Sequence, residues 1–215
     1  MAVGRPRAFD MNEALDRAME VFWRKGYEGA SLVDLTAAMG INSPSLYAAF
    51  GNKEGLFRAV LDRYDQTRAG FLTDVLEAPT AREAAARFLR GVADRATDPD
   101  DPPGCLLVQS GLSCGDAAAK IPEELARHRA GAELTLRERF ECAKSQGDLP
   151  KDADPAALAR YLVAVSNGMC VQASSGTARK DLRQVAEMAL AVWPVPDPRP
   201  KKQKATPQKA RAQAR

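Results

Sequence analysis

Read for spacing alone, the chain is a succession of helical stripes. Leu15, Ala18, Met19 and Phe22 recur at three and four residues and run down to Gly26, the period of one buried helix face followed by a stop. Asp10 or Asn12 can start that helix. Ser31 can cap a second one, with Asp34 three residues on, where a carboxylate favours the helix dipole; Leu32, Leu35 and Met39 form its stripe. Gly40 suits the left-handed turn that ends a helix, Ile41 is the apolar plug, and Asn42 caps a third helix opening at Ser43, on which Leu46 and Phe50 face inward. After Gly51, Asn52 can cap a long helix running through Leu56, Val60, Leu61 and Tyr64 to Leu76, with Gly70 as its weak point. Thr80 and Glu83 have the spacing of a capping box ahead of Ala85, Phe88, Leu89 and Val92, and the loop TDPDDPPG ends that helix.

The second half keeps the same period. Gly104 and Cys105 are expected to open a helix carrying Leu106, Leu107, Val108, Gln109 and Leu112. Pro122 heads a long one whose stripe holds Leu125, His128, Ala132, Leu136, Phe140 and Ala143. Asp154 and Pro155 cap the segment AALARYLVAVSNGMCVQA, which is apolar nearly all round and must be covered on two sides; Gly168 is expected to let a neighbouring backbone approach. Thr177 is read as the start of the last helix, with Leu182, Val185, Ala186, Ala189, Leu190 and Trp193 on its face. Two such faces in succession exceed what one subunit's core needs. They predict packing against the same pair from a second copy, a two-fold four-helix bundle.

Composition fits an all-α chain with a sizeable core: 215 residues, 45% hydrophobic. The apolar runs fall short of the ~18 residues that span a bilayer, and MAVGRPRAFD lacks the apolar segment of a signal peptide. A cytoplasmic protein with no membrane partner is therefore expected. Cys105, Cys114, Cys142 and Cys170 include no CxxC pair, and with one histidine they make a poor zinc site. Reduced thiols are expected, and no metal or other cofactor. Were Cys105 and Cys114 on one helix, nine residues would point them oppositely, so a disulfide between them would require a break near Gly111. The net charge of +3 is uneven: residues 1–68 hold nine basic and nine acidic side chains, whereas 199–215 hold seven basic and none acidic. The stretch after Pro194 is read as a disordered basic tail.

The run SLVDLTAAMGINSPSLYAAFGNK, Ser31 to Lys53, carries the clearest chemistry. Two short helices meeting at a glycine, the second polar and small along its leading turn, read as a helix-turn-helix that lays its second helix in the DNA major groove. Ser43 and Ser45 bring hydroxyls that can donate or accept, and Pro44 fits a first turn that needs no amide hydrogen. Tyr47 can send its phenol to a phosphate. Lys53 and the free first-turn amides behind Asn52 form a phosphate-binding end. Zero net charge over residues 1–68 implies few phosphate contacts per subunit. Arg5 and Arg7 sit on a short N-terminal arm of the kind that can enter a minor groove.

From Ala14 to Leu61 these residues resemble the N-terminal domain of the TetR family of transcriptional regulators. The likeness rests on the Phe22, Gly26, Tyr27 series, the Ser31 cap, Gly40, the set Leu46, Tyr47, Phe50, and the turn Asn52, Lys53, Glu54. The resemblance implies that Ser43, Pro44 and Ser45 read bases while Ser31, Tyr47 and Lys53 hold phosphates. Ala49 departs from it, lying where some members carry a polar or aromatic contact, which implies fewer bases read. Asp154 to Pro194 resembles the family's C-terminal region less specifically. By the same resemblance the organisation is a reader over 1–51, a connecting helix over 52–76, a helical effector-binding and dimerisation domain over 77–194, and the tail over 195–215. The implied function is a homodimeric repressor on double-stranded operator DNA, released by a small molecule.

Candidate effector-pocket residues, taken from stripe position, are Phe88, Cys105, Gln109, His128, Phe140, Tyr161 and Met169. A thiol on a first helical turn is favoured as thiolate, which makes Cys105 a candidate sensor of thiol-reactive compounds. The competing classes are a thiol-dependent enzyme using Cys105 and His128, for which no orienting group accompanies the pair, and an architectural DNA binder driven by the basic tail.

Overall fold

The computed structural model describes residues 10–110 and 120–195, and over them the chain is helical and loop, with no strand. In order come α1 (Met11–Gly29), α2 (Leu32–Met39), α3 (Ser43–Phe50), α4 (Lys53–Leu76), α5 (Ala81–Ala96), α6 (Leu106–Gln109), α7 (Lys120–Ser145), α8 (Pro155–Ser174) and α9 (Arg179–Ala191). The arm with Arg5 and Arg7, the Gly111–Cys114 region and the basic tail lie outside the described residues.

The caps explain where the first four helices start. Asp10 accepts from the Asn12 and Glu13 amides. Ser31 and Asp34 form a reciprocal capping box, Asn42 accepts from the Ser45 amide, and Asn52 from the Gly55 amide. Gly40 takes φ 66 and ψ 30, the left-handed stop read from the sequence, and Gly26 at φ 70 kinks the end of α1. Thr80 accepts from the Glu83 amide and so caps α5, while the Glu83 carboxylate pairs with Arg87.

Two cores result. The first gathers Phe22, Trp23, Leu35, Leu46, Leu56, Phe57, Val60 and Leu61, with Phe22 and Phe57 edge to face at 4.8 Å. Each such side chain contributes about 1.5–3 kcal/mol by leaving water. This core runs past residue 51 into the first half of α4, and it also takes Leu106, Ile121 and Leu125 from further down the chain. The second core, from α5, α7, α8 and α9, includes Phe88, Leu89, Leu136, Phe140, Leu162, Met169, Leu182, Leu190 and Trp193. Helix α4 belongs to both: its leading half lies in the first, and Val75 and Phe71 join the second. Ion pairs fasten it along the way, Arg63 to Asp16 of α1 at 2.9 Å and Arg58 to Glu124 of α7 at 2.7 Å. The helix continues through Gly70 without a break.

Four expectations change. Cys105 does not sit on a helical turn; it is the extended residue before α6, which is only four residues long. Gly104, at φ 92, donates its amide to the Ala96 carbonyl at 2.8 Å and turns the chain there. The last helix begins at Arg179 behind Ala178 with no side-chain cap, because the Thr177 hydroxyl is spent on Gln172 at 3.2 Å. Around Gly168 there is open space rather than a close backbone. Trp193 lies beyond the end of α9, although it is buried against Phe140.

Candidate functional site

The leading turn of α3 stands out to solvent. Ser43 and Pro44 are exposed, Ser45 is half-buried, and Leu46 behind them is fully buried, so one turn both anchors the helix and presents its polar tip. Tyr47 is 48% exposed. The Ser31 hydroxyl already donates to the Asp34 carboxylate at 2.7 Å and accepts from the Asp34 amide at 3.0 Å, leaving it one lone pair. Asp34 is held down to about 2, first by Lys25, whose ammonium lies 2.8 Å away, and then by Ser31. Lys25 is thereby tethered to α2. Lys53 rests over the Tyr27 ring at 4.5 Å and donates to the Glu28 carbonyl at 3.5 Å; burial pushes its ammonium below the ordinary lysine range while Glu28 opposes that shift.

Between the two cores, α4, α5, α6, α7 and α8 line a cavity of 380 Å³. Such a volume suits a small organic ligand. Its apolar wall includes Phe71, Leu72, Phe88, Val92 and Val163, with Phe71 and Phe88 stacked at 6.0 Å. A Cβ added at Gly91 would lie 2.2 Å from the Phe71 ring, so the missing side chain is what lets that ring settle against α5.

Of the seven pocket candidates, Phe88, Cys105 and His128 line this cavity. Four do not. Phe140 and Met169 are sealed in the second core. Gln109 donates to the Pro103 carbonyl at 2.8 Å and faces a separate polar cleft with Trp23 and Lys25. Tyr161 lies on an outer groove with Val192 and Trp193. Stripe spacing marks a buried face but does not tell core from cavity wall. His128 is not surrounded by apolar groups either: its Nδ1 is 2.7 Å from the Asp65 carboxylate.

Spacing also missed several wall residues. The Tyr64 hydroxyl lies 3.1 Å from the Cys105 sulfur. The neighbouring Cys170 thiol, with Arg68 and Tyr64 helping, holds the Cys105 thiol below the ordinary thiol range, against the opposing effect of burial. The Cys170 thiol is pushed up, by Cys105 first and then by burial. Burial likewise raises the Tyr64 phenol. The Arg68 guanidinium lies over the Tyr64 ring at 3.9 Å and the Trp23 ring at 5.3 Å. Tyr64 and Arg68 are one turn apart on α4, but Cys105, Cys170 and Trp23 come from other stretches of chain, so no local pattern joins the set.

A three-helix unit with a solvent-facing recognition turn, joined by one continuous helix to a cavity, is the architecture of a ligand-responsive DNA-binding transcriptional regulator. Residues 14–60 match the bacterial regulatory proteins of the tetR family, and residues 79–189 match the tetracyclin repressor-like C-terminal domain. The chain is 37% identical over 193 residues to the HTH-type transcriptional repressor ComR of Escherichia coli, covering 89% of this chain and 92% of that one. It is 38% identical over 119 residues to the repressor BdcR of the same organism, covering 54% and 59%. Among solved structures, the TetR family regulator CifR, a cysteine-substituted form in complex with 26-bp operator DNA, superposes with a TM-score of 0.85 at 45% identity, covering 88% of this chain and all of that one. The chain belongs to the TetR family. It is a DNA-binding transcriptional regulator, and the thiol-enzyme alternative falls with that assignment. Among the described residues, no helix is long and apolar enough to cross a membrane.

Proposed function

We propose that the protein acts in the cytoplasm as a homodimeric repressor whose two recognition helices are respaced when the cavity fills. The observation that carries this is the double membership of α4: residues Leu56 to Tyr64 pack the reader, and Tyr64 to Leu72 wall the cavity. An occupant therefore touches the same rigid helix that carries the reader. It shifts the two separations by its differential affinity for them and by no more.

In this reading residues 1–51 hold the reader and 52–76 the lever, although the apolar core crosses that boundary. Residues 77–194 form the cavity and dimerisation region, and 195–215 a basic tail. Ser43, Pro44 and Ser45 meet base edges. Ser31, Tyr47 and Lys53 meet phosphates, Lys53 by leaving the Tyr27 ring. Dimerisation uses an apolar stripe left bare on α8 and α9: Tyr161 and Val171 on the former, Val185 and Met188 on the latter, Met188 being 75% exposed. The open space at Gly168 lies on the same helix. The relative CifR was solved on a 26-bp operator duplex, long enough for two half-sites about one helical turn apart.

A thiol-reactive effector is a second reading, carried by one observation, the Cys105 sulfur on the cavity wall beside the Tyr64 hydroxyl. Selection of bound fragments from random duplexes tests the whole scheme: it should return an inverted repeat. A monomer showing no preference among duplexes at physiological salt would overturn it. Deleting 199–215 should weaken binding to all sequences alike, and loss of specific binding on that truncation would move specificity to the tail.

A further inference from the structure

The cavity wall is not electrically neutral. Arg68, Arg95 and Arg129 all reach it, together with His128. The carboxylate there, Asp65, is already paired with His128. Arg129 donates to the Leu107 carbonyl at 2.8 Å. Arg68 and Arg95 have no ion-pair partner among the described residues, and the Nε of each is hidden from solvent without a hydrogen-bond acceptor. Such an atom forfeits its hydration and recovers nothing, a cost that native structures tolerate only where something else repays it. The two guanidiniums also work against each other: burial, and then the charge of Arg68, push Arg95 below the ordinary arginine range, and Tyr64, Asp101 and Asp98 restore only part of it. Both lie over aromatic faces, Arg68 on Tyr64 at 3.9 Å and Arg95 on Phe71 at 5.8 Å. Stacking holds their planes and leaves their donor edges free.

We propose that the effector taken by this cavity is an amphipathic organic acid, its single carboxylate bound between Arg68 and Arg95 and its apolar body lying along Phe71, Phe88 and Val92. A planar carboxylate matches the guanidinium fork in a way that a neutral or cationic head does not. This names the ligand class for the cavity of the repressor scheme and rests on that scheme for its regulatory meaning.

The test uses the full-length dimer and calorimetric titration with hexanoate, octanoate, decanoate and phenylacetate, each beside its uncharged amide and the amine of equal length. The acid that fits should bind about tenfold more tightly than its amide, the difference between a charge-assisted and a neutral hydrogen-bonded head, and the amine should not bind. Arg95→Gln should remove the preference for acid over amide, and Arg95→Lys should keep part of it, with far-ultraviolet dichroism confirming the fold of both variants. Equal binding of acids and amides, or a preference that survives in Arg95→Gln, would overturn the assignment. Because the titration needs no DNA, a protein that bound octanoate but never an operator would defeat the repressor scheme alone. Release of operator by amides and not by acids would defeat the anion site alone.

Discussion

The guanidinium of Arg68, on the connecting helix, lies 5.3 Å from the centre of the Trp23 ring, on the first helix of the reader. Arg68 is also a wall of the cavity, so one side chain touches both the effector space and the DNA-reading unit. An anion that drew Arg68 inward would loosen its hold on Trp23. Replacing Arg68 by Met keeps the bulk and removes the charge. Removing a buried, unpartnered charge offsets the lost cation–aromatic contact, so Arg68→Met should change Tm little. It should release operator less readily at saturating effector. Undiminished release would show that coupling runs through another contact.

The reader's polar tip and its phosphate-facing groups make different predictions. Ser43→Ala and Ser45→Ala should each cost about 1–3 kcal/mol against the preferred operator and little against random duplex, because base-edge contacts carry the discrimination. Lys53→Ala should weaken binding to every duplex alike and reduce the slope of log affinity against log salt by about 1. The checking measurement is affinity across a salt series on two duplexes. A Lys53→Ala variant with unchanged slope would mean that the lysine stays on the Tyr27 ring when DNA is bound.

How much of this was legible in advance depended on how local the cause was. Caps at Ser31, Asn42 and Asn52 and the left-handed Gly40 involve neighbours within four residues, and the sequence shows all of them. The reader's fold could be read for the same reason. The cavity could not. Phe140 and Met169 have the same spacing and polarity as Phe88, and only the packing of α7 and α8 decides which of them faces a space and which a neighbour. Spacing does not single out Arg68, because the contact that ties it to the reader, Trp23, lies on another helix. Cys105 was misplaced because Gly104 turns the chain where helical spacing continues without interruption.

Acid sensitivity should start at Asp34. Its carboxyl is held at about 2 in the folded protein, by Lys25 first and Ser31 next, against about 3.9 in an unfolded chain. The folded pKa is the lower of the two. The stabilisation is therefore complete above about pH 4 and is lost as pH falls toward 2. Asp34→Asn keeps the side chain's shape and removes the titration. The variant should be less stable than the parent at pH 6, and the gap should narrow between about pH 4 and 2, followed by urea midpoints. A constant gap across that window would mean that Lys25 does not stabilise the charged form.

The thiol of Cys105 should react as a thiolate near neutrality. The Cys170 thiol, the charge of Arg68 and the Tyr64 hydroxyl together outweigh burial and hold it below the ordinary thiol value, which for an unperturbed thiol is about 8.5. Alkylation of Cys105 by iodoacetamide, followed by peptide mass spectrometry, should then have a rate that climbs less between about pH 6 and 8 than that of a free thiol, which climbs with each unit. Removing the first cause should restore that climb: Cys170→Ala takes away the donor and should move the inflection upward, whereas Cys170→Ser keeps a donor in place and should leave it low. Tyr64→Phe should shift it in the same direction as Cys170→Ala by a smaller amount. If the parent protein's rate instead rises through pH 8 like that of a free thiol, Cys105 is a packing residue, and any effector of this regulator enters the cavity without forming a bond to it.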